Sequence, residues 1–206
     1  MGLHHINLNK NNHHRIVMND LKKGIHFSDL IGKRIDLIKI NINGLDDMHE
    51  YSIKSEFYEH FEYEPFKTIQ ETQNYLENLI KLTNDGIRNT WFIKLKKEDK
   101  IIGTFDVRNI NKKRLSVEVG YAVSPDYWRQ GFFSESLILV LNYMFMELNF
   151  YRIEAICNKN NIASIEGLKK NGFKEEGIMR KFYCMKDNTR QDAILLSLIR
   201  DEFLES

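Results

Sequence analysis

Apolar residues along the chain recur at two spacings, every second position and every third or fourth, and the switches between them delimit the elements. Ile35, Leu37, Ile38 and Ile40 predict a first strand over residues 34–40, and residues 44–58, with Asp46 and Asp47 in the opening turn, predict a helix. After Pro65, Thr68 and Glu71 form a capping box ahead of Tyr75, Leu76, Leu79 and Ile80, which share one face of a second helix. Residues 90–96 and 101–107 flank the charged turn Lys97, Glu98, Asp99, Lys100 and predict a hairpin. Leu115, Val117, Val119, Tyr121 and Val123 then alternate with Ser116, Glu118, Gly120, Ala122 and Ser124, so one face of this strand is bulky and the other small except at Glu118. Pro125 ends it. Leu137, Ile138, Leu141, Met144, Phe145 and Leu148 mark a long helix over residues 131–149. A strand over 151–158, a helix opened by Asn161 and closed by Asn171 and Gly172, and strands over 173–184 and 192–199 complete the chain, the last so apolar that it belongs inside the sheet. Antiparallel strands followed by a strand–helix–strand crossover predict a mixed α/β sheet with helices on both faces.

Composition narrows the class. The 206 residues carry 30 Lys plus Arg against 29 Asp plus Glu, a formal net charge of +1, which supplies no global field for nucleic acid or an anionic membrane. With 42% apolar and 12% aromatic residues the chain builds one sizeable core. Residues 1–28 are polar and aperiodic, which predicts a mobile arm before one domain spanning 29–206. The pairs His4, His5 and His13, His14 raise a metal reading, but no carboxylate or cysteine completes a ligand set, and solvated histidines fit such a tail better. Cys157 and Cys184 form neither a disulfide framework nor a metal-ligand spacing, so no metal is expected and a reducing compartment is. The longest apolar runs fall far short of the roughly 18 residues of a membrane helix, and no secretory signal opens the chain; a cytoplasmic protein is expected. The cluster Lys112, Lys113, Arg114 reads as a solvated turn rather than a phosphate contact. Frequent Asn, Ile and Lys point to an AT-rich, bacterial source.

The stretch Trp128, Arg129, Gln130, Gly131, Phe132, Phe133, Ser134, Glu135 carries the clearest chemistry. It joins a strand to a helix, where unpaired amides and the helix dipole create an anion site, and Gly131 lets a phosphate approach closely. Neither G-K-[ST] nor G-x-G-x-x-G is present, which disfavours ATP and NAD.

At these residues the sequence resembles the GNAT superfamily of N-acetyltransferases, and within it the ribosomal-protein N-terminal acetyltransferase branch, the Rim type. The resemblance runs from about Leu30 to Phe203. It rests on Glu118-Val-Gly-Tyr121, Ser124-Pro-Asp-Tyr-Trp128, the loop 129–135, Asn161-Ile-Ala-Ser164 and Asn171-Gly-Phe173. It implies a GNAT fold of about seven strands and four helices whose fourth and fifth strands splay apart. It further implies that the pantetheine arm of acetyl-CoA pairs with backbone near Val123. The pyrophosphate would lie on amides of Arg129, Gln130, Gly131, Phe132 and Ser134, with Asn161 on the pantetheine and Ser164 near the sulfur. Asn161 is also a good helix cap and Ser164 an ordinary first-turn residue, although their joint spacing favours the cofactor role. Trp128 and Phe133 depart from the superfamily loop pattern; Trp128 fits a core role, and Phe133 a packing role that narrows the space near the phosphates.

Leu168 stands where many superfamily members carry a tyrosine that protonates the thiolate. Ser164 and Tyr183 are the remaining hydroxyl candidates for a general acid, Ser164 preferred, and a CoA thiolate can also take its proton from water. Glu118, on the small face beside the cofactor, is the candidate proton acceptor; its alternative is a salt-bridged structural glutamate. The oxyanion donor is the backbone N–H near Val123. Tyr183 and Asp192 match positions near the acceptor, or orient the sheet internally. Phe57, Phe61 and Tyr63 line the acceptor pocket or pack the first two helices together.

The implied activity is acetyl-CoA-dependent N-acetylation of an amine, foremost the α-amino group of a protein or peptide. The alternatives are a small amine such as a polyamine, amino sugar or antibiotic, and a non-catalytic CoA-binding protein, the last motivated by Leu168. A monomer or homodimer without nucleic-acid or membrane partners is expected.

Overall fold

The computed structural model describes residues 27–205, so the histidine pairs and nearly all of the expected arm lie outside the described residues. Phe27 packs edge-on against Trp91 with ring centroids 5.5 Å apart, and the Trp91 indole N–H donates to the Ser28 carbonyl at 2.9 Å.

One mixed sheet of eight strands organises the chain, in the order β1-β2-β3-β4-β5-β6-β8-β7. The strands are β1 (Leu30–Ile31), β2 (Ile35–Lys39), β3 (Asn89–Leu95), β4 (Lys100–Asn111), β5 (Ser116–Val123), β6 (Arg152–Asn158), β7 (Lys174–Cys184) and β8 (Arg190–Ile199). The additional strand is the two-residue β1, which pairs with β2 at Leu30 opposite Leu37; it makes the splayed pair the fifth and sixth strands rather than the fourth and fifth. The apolar β8 lies between β6 and β7, paired on both sides. β7 is the exposed edge, broken by register shifts at Glu175/Gly177 and Met179/Tyr183 and rich in charge, which suits a free edge.

Among the described residues five α-helices flank the sheet: α1 (Leu45–Ser52), α2 (Ile69–Asn84), α3 (Phe132–Asn142), α4 (Ile162–Lys170) and α5 (Arg200–Glu205). Because side chains alternate along a strand, the sheet feeds two cores. Met48, Leu76 and Leu79 from α1 and α2 cover Ile40, Phe92 and Ile101 on one face. Leu137, Val140, Ile165 and Leu168 from α3 and α4 cover Trp91, Phe105, Val117 and Leu196 on the other. Fully buried side chains such as Leu76 and Phe92 each contribute about 1.5–3 kcal/mol.

Three element readings change. The helix expected over 44–58 stops at Ser52, whose Oγ donates back to the Met48 carbonyl at 2.7 Å; Lys54 is extended, and a separate 3₁₀ turn covers Ser55–Tyr58. The helix expected over 131–149 is α-helical only to Asn142 and widens into a π turn over Tyr143–Glu147. Three consecutive residues there, Tyr143, Met144 and Phe145, are at most 5% exposed, and a regular turn cannot bring three neighbours to one face. The capping box at α2 is also modified: Thr68 Oγ1 accepts from the Glu71 amide at 3.3 Å, but the Glu71 carboxylate reaches back to the amide of Lys67, at 2.6 Å. Among the described residues no helix is long and apolar enough to cross a membrane.

Candidate active site

β5 and β6 run parallel and pair only at Ser116/Arg152, Val117/Ile153 and Glu118/Glu154. Beyond Glu118 they separate, while β5 stays registered with β4 as far as Val123 opposite Gly103. The Ser124 amide bonds the Ile102 carbonyl at 2.7 Å, so strand alternation turns the peptide groups of Tyr121 and Val123 away from β4 and into the gap. This wedge is the splay that the resemblance implies.

Two side chains close off carbonyls facing the wedge. The Trp128 indole N–H donates to the Val123 carbonyl at 2.7 Å, and the Tyr183 hydroxyl donates to the Ile156 carbonyl at 3.0 Å. Trp128 is therefore not a core residue: it is 45% exposed and braces the end of β5. Tyr183 reaches the wedge from β7, and burial pushes its phenol well above the usual range, so it holds its proton.

The loop after β5 forms a cradle of backbone amides. Arg129 and Gly131 have left-handed backbones, with φ of 60° and 82°, and α3 begins at Phe132 with no side-chain cap. The first amide of this region to find an acceptor is that of Glu135, on the Gly131 carbonyl at 3.1 Å, so the N–H groups of residues 129–134 remain unengaged within the protein. Arg34, which sequence reasoning missed, fixes the cradle from the β1–β2 turn. Its Nη1 donates to the Gln130 carbonyl at 2.9 Å, its Nε to Glu135 Oε2 at 2.8 Å, and its guanidinium lies 4.5 Å over the Phe132 ring. No local signal marks it, because its partners lie about a hundred residues away.

Across the wedge, Asn161 Oδ1 accepts from the Ser164 amide at 3.1 Å and caps α4, leaving its side-chain N–H₂ unengaged. Ser164 and Cys157 face the Tyr121 hydroxyl, and burial raises the Tyr121 phenol far above its ordinary value. Tyr121 is a second residue the alternation alone did not single out; its ring packs on Phe133 at 4.1 Å, as Phe133 fills the space beside Gly167. Ser134 accepts from Asn171 at 3.2 Å and ties α3 to the end of α4. Leu168 is fully buried in the main core.

On the opposite face lies a charged cluster. Glu118, 6% exposed, accepts from Arg108 Nε at 2.8 Å and Nη2 at 2.6 Å on Oε1, and from Asn109 Nδ2 at 2.7 Å on Oε2. Asp106 lies 2.7 Å from Arg88 Nη2 and 3.7 Å from Arg108 Nη1. Burial raises the Asp106 carboxyl and outweighs the opposing pull of the two arginines. The Arg108 guanidinium lies over the bare Cα of Gly120, where a Cβ would come within 2.9 Å of Nη1.

The loop between α1 and α2 overhangs this cluster. Phe57, Phe61 and Tyr63 belong to one run of ring contacts, Phe61 and Tyr63 being stacked at 5.5 Å. Tyr63 is 44% exposed and lies beside Tyr75, ring centroids 6.5 Å apart; desolvation is the main cause that raises its phenol far above the ordinary range. Glu62 accepts from the Cys184 amide at 2.8 Å and Glu64 pairs with Lys186 at 3.5 Å, so the loop is clasped to the β7–β8 hairpin. Asp192 accepts from the Lys181 amide at 2.9 Å and orders β7. The structure thus gathers Val123, Ser164, Tyr183 and Tyr121 around one wedge with Glu118 and Arg108 at its apex. A cavity of about 450 Å³ between Phe27, Arg88, Asn89 and Ile110 lies at the far end of β3 and β4 and holds none of the site residues singled out from the sequence. Among the described residues no group of His, Cys, Asp and Glu is arranged to hold a metal.

Comparison with known proteins agrees with this geometry. The family described as acetyltransferase (GNAT) domain matches residues 34–174. An uncharacterized N-acetyltransferase of Bacillus licheniformis is 28% identical over 174 residues, 84% of this chain and 97% of that protein. Spermidine N(1)-acetyltransferase of Escherichia coli K12 is 27% identical over 103 residues, 50% of this chain and 54% of that protein. The crystal structure of a GCN5-related N-acetyltransferase from Brucella melitensis superposes with a TM-score of 0.80 at 20% identity, covering 87% of this chain and 82% of that one.

Proposed function

The chain belongs to the GNAT acetyltransferase family, and from that membership we propose that it acetylates the α-amino group of a protein or peptide. Acetyl transfer is the activity of the family, with acetyl-CoA as the cosubstrate that supplies the acetyl group as a thioester. The residues present fit that cosubstrate: the amides of Arg129, Gln130, Gly131, Phe132, Phe133 and Ser134 are unengaged where a pyrophosphate needs donors, and β5 turns the Val123 N–H into the open wedge. Asn161, with its free N–H₂, faces the pantetheine side, and Ser164 and Tyr183 are the hydroxyls near the reacting sulfur, Ser164 taking the proton-donor role.

The observation that carries the acceptor assignment is charge balance. Arg88 and Arg108 neutralise Asp106 and Glu118 at the base of the acceptor cleft, under the Tyr63 and Tyr75 hydroxyls. A polyamine brings two or more positive charges to a floor with no net negative charge to receive them. An α-amino group brings one, which it loses before reaction, and the peptide carbonyl behind it suits a floor rich in donors. Glu118 is the proton acceptor: Oε2 carries a single bond, from Asn109, and keeps a lone pair for the amine or an intervening water.

A small cationic amine is the second reading, favoured by Glu59, Glu62 and Glu64 on the overhanging loop and by the similarity to the spermidine enzyme. Thiol release from acetyl-CoA with short peptides on one side and spermidine and amino sugars on the other separates the two. Peptide-dependent release is expected; release with small amines alone reverses the assignment. In Glu118→Gln we expect kcat near pH 7.5 to fall about 10²-fold with acetyl-CoA affinity retained, and an unchanged kcat would remove Glu118 as base.

A further inference from the structure

We infer that Arg108 reads the acceptor, and that the preferred substrate is an amine carrying a carboxylate within a few bonds of its nitrogen; on the proposed function above, on which this rests, that is a peptide beginning with Asp or Glu. Arg108 crosses from β4 to β5 and spends only part of its hydrogen-bonding capacity. Nε and one N–H of Nη2 hold Glu118 Oε1, whereas Nη1 has only a loose 3.7 Å contact with Asp106. Its side chain is 39% exposed in a region where the carboxylates that pair with it are at most 9% exposed, so the free edge of the fork faces the cleft.

Two features place that edge beside the chemistry. Gly120 leaves no Cβ, and the space is shared by Arg108 Nη1 and Asp106 Oδ1, each 2.9 Å from where a Cβ would stand; Gly120 is three positions before Val123 on the strand that borders the wedge. Asn109 holds a left-handed backbone, φ 52°, and its side chain holds Glu118 from the other oxygen, so proton acceptor and guanidinium are set in one rigid unit.

Beside the Asp106 carboxylate, whose charge Arg88 meets at 2.7 Å, the other groups around this point are phenols. Tyr63 and Tyr75 keep their phenolic protons, burial being the main cause in both, and Arg88 is tied to Asp106. A planar fork with an open edge matches a carboxylate in two-point geometry and discriminates against an uncharged isostere, while a second ammonium meets Arg108 itself.

The decisive measurement is kcat/KM by thiol release for peptides differing only in Glu against Gln, or Asp against Asn, at the first position, with free glutamate and glutamine alongside and spermidine as the cationic control. The acidic-first peptides are expected to be favoured about tenfold or more, the discrimination of one charge-assisted hydrogen bond. In Arg108→Gln both members of a pair slow, because Glu118 loses its brace, but their ratio falls toward one; a purely structural Arg108 leaves the ratio unchanged. The native protein's ratio is sufficient on its own if that variant fails to fold. Preference for free glutamate over glutamine, without peptide turnover, keeps the carboxylate reading and moves its source to an amino acid. Equal use of acidic and amide peptides overturns the inference and leaves peptide acetylation standing, whereas turnover of spermidine alone overturns both.

Discussion

Trp128 illustrates how much of this site is decided by single atoms. Its indole N–H fixes the last carbonyl of β5 at the open edge of the wedge. Trp128→Phe keeps an aromatic ring and removes the donor, so we expect KM for acetyl-CoA to rise several-fold with kcat little changed, read by steady-state kinetics. Cys157 makes a second prediction. It is buried in the wedge wall, and desolvation pushes its thiol up to about 12, so at pH 8 it stays protonated. Thiol reagents should leave Cys157 unlabelled in the folded protein and label it in denaturant, as peptide mass mapping would show; rapid native labelling would mean that the wedge opens. Glu118 was legible as a carboxylate on a small face, but the donors that hold it were not. Arg108 and Asn109 precede it by ten and nine residues across a hairpin whose left-handed Asn109 no pattern announces.

At the scale of elements, the joint between the β1–β2 turn and α3 depends on protonation. Burial pushes Glu135 up, but bonds from the Arg34 amide and guanidinium and from the Ile35 amide outweigh it and hold its carboxyl below the usual glutamate range. A carboxyl lowered in the folded state stabilises above its unfolded value and loses that contribution as pH falls through the folded one. Wild type should therefore melt higher than Glu135→Gln near pH 7, and the gap should close as pH drops below about 4.3, the unperturbed glutamate value. Strands β2 to β8, α2 and the cap of α4 were legible because they rest on local periodicity and capping residues, whereas the two-residue β1 is too short to show a period. The break after Ser52 and the π turn after Asn142 were not, because no Gly or Pro marks them and each answers to burial demanded by a distant part of the sheet.

Across the whole molecule, a clasp joins the α1–α2 loop to the β7–β8 hairpin. It includes one backbone bond to Glu62 and one exposed ion pair, Glu64–Lys186. Exposed pairs contribute about 0–1 kcal/mol, so the clasp is easily opened. Lys186→Glu should speed hydrogen exchange over residues 59–66 while leaving exchange in β6 and β8 and the melting temperature nearly unchanged; protection that stays the same would show the loop to be held by its aromatic contacts alone. The mixed sheet, the order of its elements, the turn into α3 and the family are readable from the chain alone, since these follow from period, turn chemistry and motifs that neighbouring residues carry. The brace of Arg34 on the loop, the entry of Tyr121 and Tyr183 into the wedge, and the place of Arg108 beside Glu118 emerge only on folding. Those contacts join residues far apart in the chain, and their partners are chosen by strand register and burial.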